Sequence, residues 1–146
     1  MTFPIVARFI DQAWNKGAIP DLHPSFVDHS LPPGVPDTQA WIALTSASFD
    51  HQTIIEDHVT EGDKCVVRIT FRVRHIAPWR GIPATGMLAE TRGYRMFRVQ
   101  DGKVAEHWAL IDGQALEAQL RGAAMGCVVP GATPAGGAPA GVVPKA

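Results

Sequence analysis

The stretch "DGKVAEHWALID", residues 101–112, decides how the rest of the chain is read. Asp101-Gly102 supplies the positive φ of a tight hairpin turn, and Lys103 to Ile111 then alternate as a strand that ends on an acid. Strict alternation puts Val104, Glu106, Trp108, Leu110 and Asp112 on one side, and Ala105, His107, Ala109 and Ile111 on the other. Trp108 and Asp112 are therefore expected to look the same way. If that way is a concave interior, Asp112 stands in an aromatic-lined pocket, where desolvation lifts a carboxylate above its reference pKa of about 3.9 and makes it a stronger base. The plainer reading is that Asp112 caps the helix "GQALEAQL". The residues alone leave these two readings equal. His107, of opposite parity to Trp108, is expected on the outer sheet face.

Working outward, "LAETRGYRMFRV" meets this strand through Gln100-Asp101-Gly102, and "TIIEDHVT" and "KCVVRITFRVRH" form a second hairpin turning at Glu61-Gly62-Asp63. In the latter strand Cys65, Val67, Ile69, Phe71 and Val73 share one face, while Arg68, Thr70, Arg72 and Arg74 share the other, so one side is buried. Upstream, Ile5, Val6, Phe9, Ile10, Ala13 and Trp14 recur at helical spacing, which predicts a helix over 5–16 closed by Gly17. "IPDLHPSF" reads as a short helix or turn. "HSLPPGVPD" is too proline-rich for regular structure, and Asp37 then makes an N-cap for a helix over about 38–48. Residues 113 to about 121 add a final helical turn. Helices first and a curved antiparallel sheet afterwards describe an α+β domain whose helices cover one sheet face.

Length and composition fit one domain, taken as 1–122. The Ala/Gly/Pro-rich tail 123–146 is expected to be irregular. With 46% hydrophobic residues, 18% charged and a net charge of −1, the chain lacks the basic footprint of a nucleic-acid binder. Cys65 and Cys127 read as free thiols, and no segment approaches the roughly 20 apolar residues of a membrane span, so a soluble cytoplasmic protein is expected.

"GIPATG", residues 81–86, has the glycine spacing of a phosphate loop, but Met87 and Leu88 stand where Lys and Ser/Thr belong and Pro83 deletes an amide, so it reads as a connection. His23, His29, His51, His58, His75 and His107 form no paired metal-ligand spacing, and no metal is expected. No GxSxG elbow supplies a serine nucleophile. His29, after Phe26 and Val27, either faces a pocket mouth or is a loop histidine. His75 continues the apolar face of Phe71 and Val73, as a pocket-lining group or a simply buried one. Tyr94, on the third strand, joins them as a candidate substrate contact.

The ordered series "EGDKCVVRITFRVRH", "GIPATG", "FRVQDGKVAEHWALID" and "LEAQL" resembles the SnoaL-like polyketide cyclases over roughly residues 4–120, most strongly from Arg98 to Asp112. The resemblance implies a nuclear transport factor 2-like (cystatin-like) cone, in which a strongly bent antiparallel sheet forms a barrel closed by N-terminal helices. It also implies a homo-oligomer that needs neither metal nor organic cofactor. In such cyclases a pocket aspartate takes a proton from an activated carbon, and the enolate closes a ring by aldol attack. Asp112 matches that position, which tips it from cap to base. Where the family often has Gly-Thr-His this chain has Val73-Arg74-His75, so only His75 carries over, as a pocket donor.

The expected function is thus a cofactor-independent enzyme acting on a hydrophobic, carbonyl-rich small molecule, with Asp112 as base and His29, His75, Trp108 and Tyr94 around the substrate. One alternative is another reaction in the same pocket, as isomerase, dehydratase, epoxide hydrolase or hydroxylase. Another is a non-catalytic ligand-binding or dimerisation module.

Overall fold

The computed structural model describes residues 1–125, with side chains as far as Gly122; Cys127 and the rest of the tail lie outside the described residues. Helix α1 (Thr2–Phe9) runs directly into a π-helical segment, Ile10–Asn15. Two-residue strand β1 (Val27–Asp28), helix α2 (Thr38–Ser48), strands β2 (Phe49–Glu61), β3 (Lys64–His75), β4 (Leu88–Gln100) and β5 (Lys103–Ile111), and helix α3 (Gly113–Met125) follow. The first helix thus starts three residues earlier than its apolar spacing implied and changes pitch midway. β1 is an addition that a two-residue stretch with no periodicity could not announce. "IPDLHPSF" is a turn without a helix, and α3 is a full helix that continues past residue 122.

The α+β expectation holds, with two refinements. The sheet, in the order β1-β5-β4-β3-β2, is strongly curved but open, and it is mixed because β1 runs parallel to β5. α2 begins where expected, the Asp37 carboxylate accepting from the Ala40 amide at 2.8 Å. β3 alternates as read: Cys65, Val67, Ile69, Phe71, Val73 and His75 are buried, and Arg68, Arg72 and Arg74 are exposed. Val6, Phe9, Ile10, Ala13 and Trp14 pack on that inner face, with Leu116 and Leu120 of α3 in the same core. Each such buried side chain contributes on the order of 1.5–3 kcal/mol, which is what holds the helices on this side of the sheet.

β5 departs from simple alternation. Val99 pairs with Val104 but Arg98 pairs with Glu106, so Ala105 is the extra residue of a bulge. Val104 and Ala105 are both buried, and every residue beyond them is flipped to the opposite face. The expected faces are therefore corrected: His107 points inward and is fully buried, while Trp108 and Leu110 lie on the outer side. Further along, β4 carries Gly93 where β5 crosses closely. A Cβ there would meet Ile111 Cδ1 at 2.5 Å and the Leu110 carbonyl oxygen at 2.6 Å.

Candidate active site

The inner face of β4 is apolar or small at Ala89, Phe97 and Val99, yet between them stands Arg95, 2% exposed. Its Nη1 lies 3.3 Å from His107 Nε2, and His107 Nδ1 lies 3.0 Å from Asp28 Oδ1. Because a guanidinium can only donate, His107 Nε2 accepts, and Nδ1–H therefore donates to Asp28. That fixes a neutral histidine in one tautomer. Burial lowers the His107 pKa, against the Asp28 hydrogen bond that raises it, and the Arg95 charge lowers it further.

Asp28 is the one carboxylate among the described residues whose side chain is buried, at 2% exposure. It also accepts from the Ser30 amide at 2.9 Å, Ser30 Oγ at 2.5 Å and Thr38 Oγ1 at 2.6 Å. Burial alone would raise its pKa. Hydrogen bonds from His107, Ser30 and Thr38 outweigh burial and hold it well below the usual carboxylate range. Arg95 is lowered to about 10 by burial, against the Asp28 charge, and stays a cation at neutral pH.

The guanidinium carbon lies 4.2 Å from the centre of the Trp14 ring, a cation–π contact. Trp14 sits in the π-helical segment, whose next residue pins it to the sheet: Asn15 Oδ1 accepts from the Thr53 amide at 2.7 Å and Asn15 Nδ2 donates to the Thr53 carbonyl at 3.1 Å. On its other side Trp14 meets His51 edge-on, with ring centres 6.1 Å apart. His51 Nε2 is 2.9 Å from Ser46 Oγ, and burial followed by the Arg95 charge lowers its pKa against Asp50. Arg95 Nε, Trp14 Nε1, His51 Nδ1 and Thr53 Oγ1 are all buried without a hydrogen-bond partner. Leaving such a group unpaired costs about 1–3 kcal/mol, and three of the four belong to the contiguous Arg95–Trp14–His51 cluster.

The five residues singled out from the sequence do not converge. Asp112 is exposed; its Oδ1 accepts from the Ala115 amide at 2.9 Å, the cap geometry of α3, and Thr91 Oγ1 donates to its carbonyl at 2.8 Å. The expectation that it shares an enclosed chamber with Trp108 is corrected, because the parity that implied it ends at the Ala105 bulge. Asp112 and Tyr94, the latter 54% exposed, line an open groove of about 990 Å3 with Arg68, Arg72 and Glu90 of the sheet and Gln114 and Gln119 of α3. His29 and Trp108 stack at 4.7 Å, with His29 Nε2 2.9 Å from Glu106 Oε1 and Arg98 on the other oxygen of that carboxylate. His75 alone faces inward. Its Nδ1 accepts from the Thr85 amide at 3.2 Å, so its proton is on Nε2, which is buried without a partner. Burial lowers its pKa and keeps it neutral.

Sequence reading passed over Asp28, Arg95, His51 and Trp14. Arg95 was detectable, as an arginine on the otherwise apolar or small face of "LAETRGYRMFRV". Among the described residues no three His, Cys, Asp or Glu side chains are placed to hold a metal ion, and no helix is long and apolar enough to cross a membrane.

No curated protein sequence matches the chain. Among solved structures it is similar to TsrD from Streptomyces laurentii, at 31% identity over 81% of this chain and 92% of that one, with a TM-score of 0.66. IdmH from Streptomyces antibioticus, a proposed polyketide cyclase, gives 29% identity over 83% and 99%, at 0.70. AclR from Streptomyces galilaeus, a proposed hydroxylase, gives 25% over 83% and 98%, at 0.70. The family pattern of the SnoaL-like polyketide cyclases matches residues 4–120, spanning α1 through most of α3. The chain belongs to the SnoaL-like polyketide cyclase family.

Proposed function

We propose that the chain is a small-molecule enzyme that enolises a hydrophobic, carbonyl-rich substrate at Arg95 and closes a ring on it. The observation that carries this reading is the set of unpartnered polar atoms around one buried cation: Arg95 Nε and Trp14 Nε1, which can only donate, and His51 Nδ1. The two donors would hold a carbonyl oxygen and gain strength as it becomes an enolate in a low-dielectric setting. With Nε2–H donating to Ser46, His51 keeps a lone pair on Nδ1, and its lowered pKa keeps it unprotonated at neutral pH. It takes the proton from the carbon beside the carbonyl; the C–H electron pair becomes the C=C bond of the enolate and the carbonyl π pair moves onto the oxygen. The enolate carbon then bonds to a second carbonyl carbon of the same molecule, whose oxygen recovers the proton from His51. No atom or electron is gained or lost overall.

This reading moves the base from Asp112 to His51 and keeps Asp112 as a cap. His75 Nε2–H is left as a further inward donor for a second substrate oxygen. Self-association would draw on the outer sheet face, where Leu110 and Tyr94 are exposed, and light scattering on the purified protein decides it. A cytoplasmic location goes with the same reading.

The test uses 2-tetralone, an aromatic ketone with exchangeable α-protons, in D2O with proton NMR. The wild-type chain should speed deuterium uptake over buffer, and Arg95→Met should lose about 10²–10³-fold of that rate. Equal rates in the two proteins, or no acceleration by the wild type, reject the proposal.

A further inference from the structure

On the reading above, Arg95 Nε–H serves a substrate oxygen only if the rest of the guanidinium is held, and His107 and Trp14 supply that hold. β1 pairs with β5 so that Asp28 and His107 are register partners. That pairing sets the carboxylate beside Nδ1; the Ser30 amide and Ser30 Oγ also donate to Oδ1, and Thr38 Oγ1 donates to Oδ2. A carboxylate bound by four donors cannot swing away. His107, packed between Phe9 at 6.0 Å and Phe97 at 4.8 Å, cannot turn either. Its lone pair on Nε2 therefore presents a fixed acceptor to Arg95 Nη1, and the Trp14 ring fixes the plane of the cation.

We propose that Asp28 is a positioning residue, which acts through the tautomer and orientation of His107 to aim Arg95 Nε–H at the substrate oxygen. This rests on the reading of Arg95 as the enolate's donor. A direct carboxylate–guanidinium pair would engage two N–H groups in a fork and compete for the one that must stay open. Interposing a neutral imidazole transmits orientation while leaving Nε uncommitted. The other imidazole tautomer would point Nε2–H at the cation, two donors facing each other, and would displace it.

Nitrogen-15 NMR of the wild-type chain at neutral pH should find His107 neutral, with Nδ1 protonated and Nε2 bare. The opposite tautomer, or an imidazolium, overturns the proposal without any variant. His107→Phe keeps the aromatic packing and removes the relay. It should broaden the slowly exchanging Arg95 Nε–H signal and lower kcat for 2-tetralone exchange by about 10²-fold, with KM within about twofold. Asp28→Asn should lower kcat less, and should add nothing in the His107→Phe background. A wild-type Arg95 signal and kcat in His107→Phe, or an Asp28→Asn effect of the same size with and without His107, also overturns it. Should the wild-type chain fail to exchange 2-tetralone, the enolisation reading falls, and the tautomer and the Arg95 signal still decide whether the relay exists.

Discussion

Asp28 and Asp112 flank the same strand, and each accepts hydrogen bonds from the backbone, yet they belong to opposite sides of the sheet. Asp28 stands beside β5 on the inner face, buried, with its charge balanced by Arg95 through His107. Asp112 follows β5 on the outer side, exposed, in an open groove that Arg68, Arg72, Glu90 and Leu110 also line. Chemically the two side chains are identical. What separates them is the bulge at Ala105, which sends His107 in and Trp108 out, so the environment in which a carboxylate can matter is created by one extra residue.

The sharpest way to break this comparison is to delete each carboxylate. Asp28→Ala strips three neighbours of their acceptor and leaves Arg95 as an uncompensated buried charge, the circumstance in which losing one ion-pair partner costs about 3–5 kcal/mol. Urea unfolding should report a loss of that size. A loss below about 1 kcal/mol would mean that Arg95 is not balanced by Asp28, and would remove the asymmetry between the two acids.

Acid should then act on the inner face first. His51 and His107 bind protons less tightly folded than unfolded, because burial disfavours the imidazolium, so the unfolded chain takes up protons that the folded one refuses. Stability from this source is complete above the unfolded histidine value of 6.5 and falls as pH drops through and below it. Asp28 is depressed instead of raised, so its contribution is present above its unfolded value of 3.8 and is lost as pH falls further. Two-stage acid destabilisation, measured by denaturant midpoint against pH, is the expected result. His107→Phe should weaken the upper stage.

How much of this was legible follows from the range of the interactions. The β3 alternation, the Asp37 cap and the Asp101-Gly102 turn are encoded by neighbours within a few residues, and the structure places all three as read. Arg95 announces itself as a parity break, and only its meaning needs the fold. Asp28 is different: its decisive partner lies 79 residues away, and β1 is too short to carry a period. The bulge was hidden because Val104 and Ala105 are both small and apolar, so nothing in "KVAEHW" marks which of the two is the extra residue. Counting from Val104 without that insertion turned His107 outward and Asp112 inward, and the resemblance to the cyclases then drew the reading further towards Asp112.

Asp112 supplies the smallest and cleanest contrast. Its Oδ1 satisfies one amide at the start of α3, so Asp112→Ala should cost about 1 kcal/mol, the usual loss on removing an N-cap oxygen. Asparagine caps a helix about as well as aspartate, so Asp112→Asn should retain stability to within a few tenths of a kcal/mol. Neither variant should change 2-tetralone exchange by more than about twofold, because the carboxylate lies outside the inner face where Arg95 and Trp14 leave donors open. A fall in exchange with Asp112→Asn, in a protein as stable as wild type, would have one meaning: the basicity of that exposed carboxylate, and not its hydrogen bond, is used. The chemistry would then belong to the outer groove, and the buried cation would be left to hold the fold together.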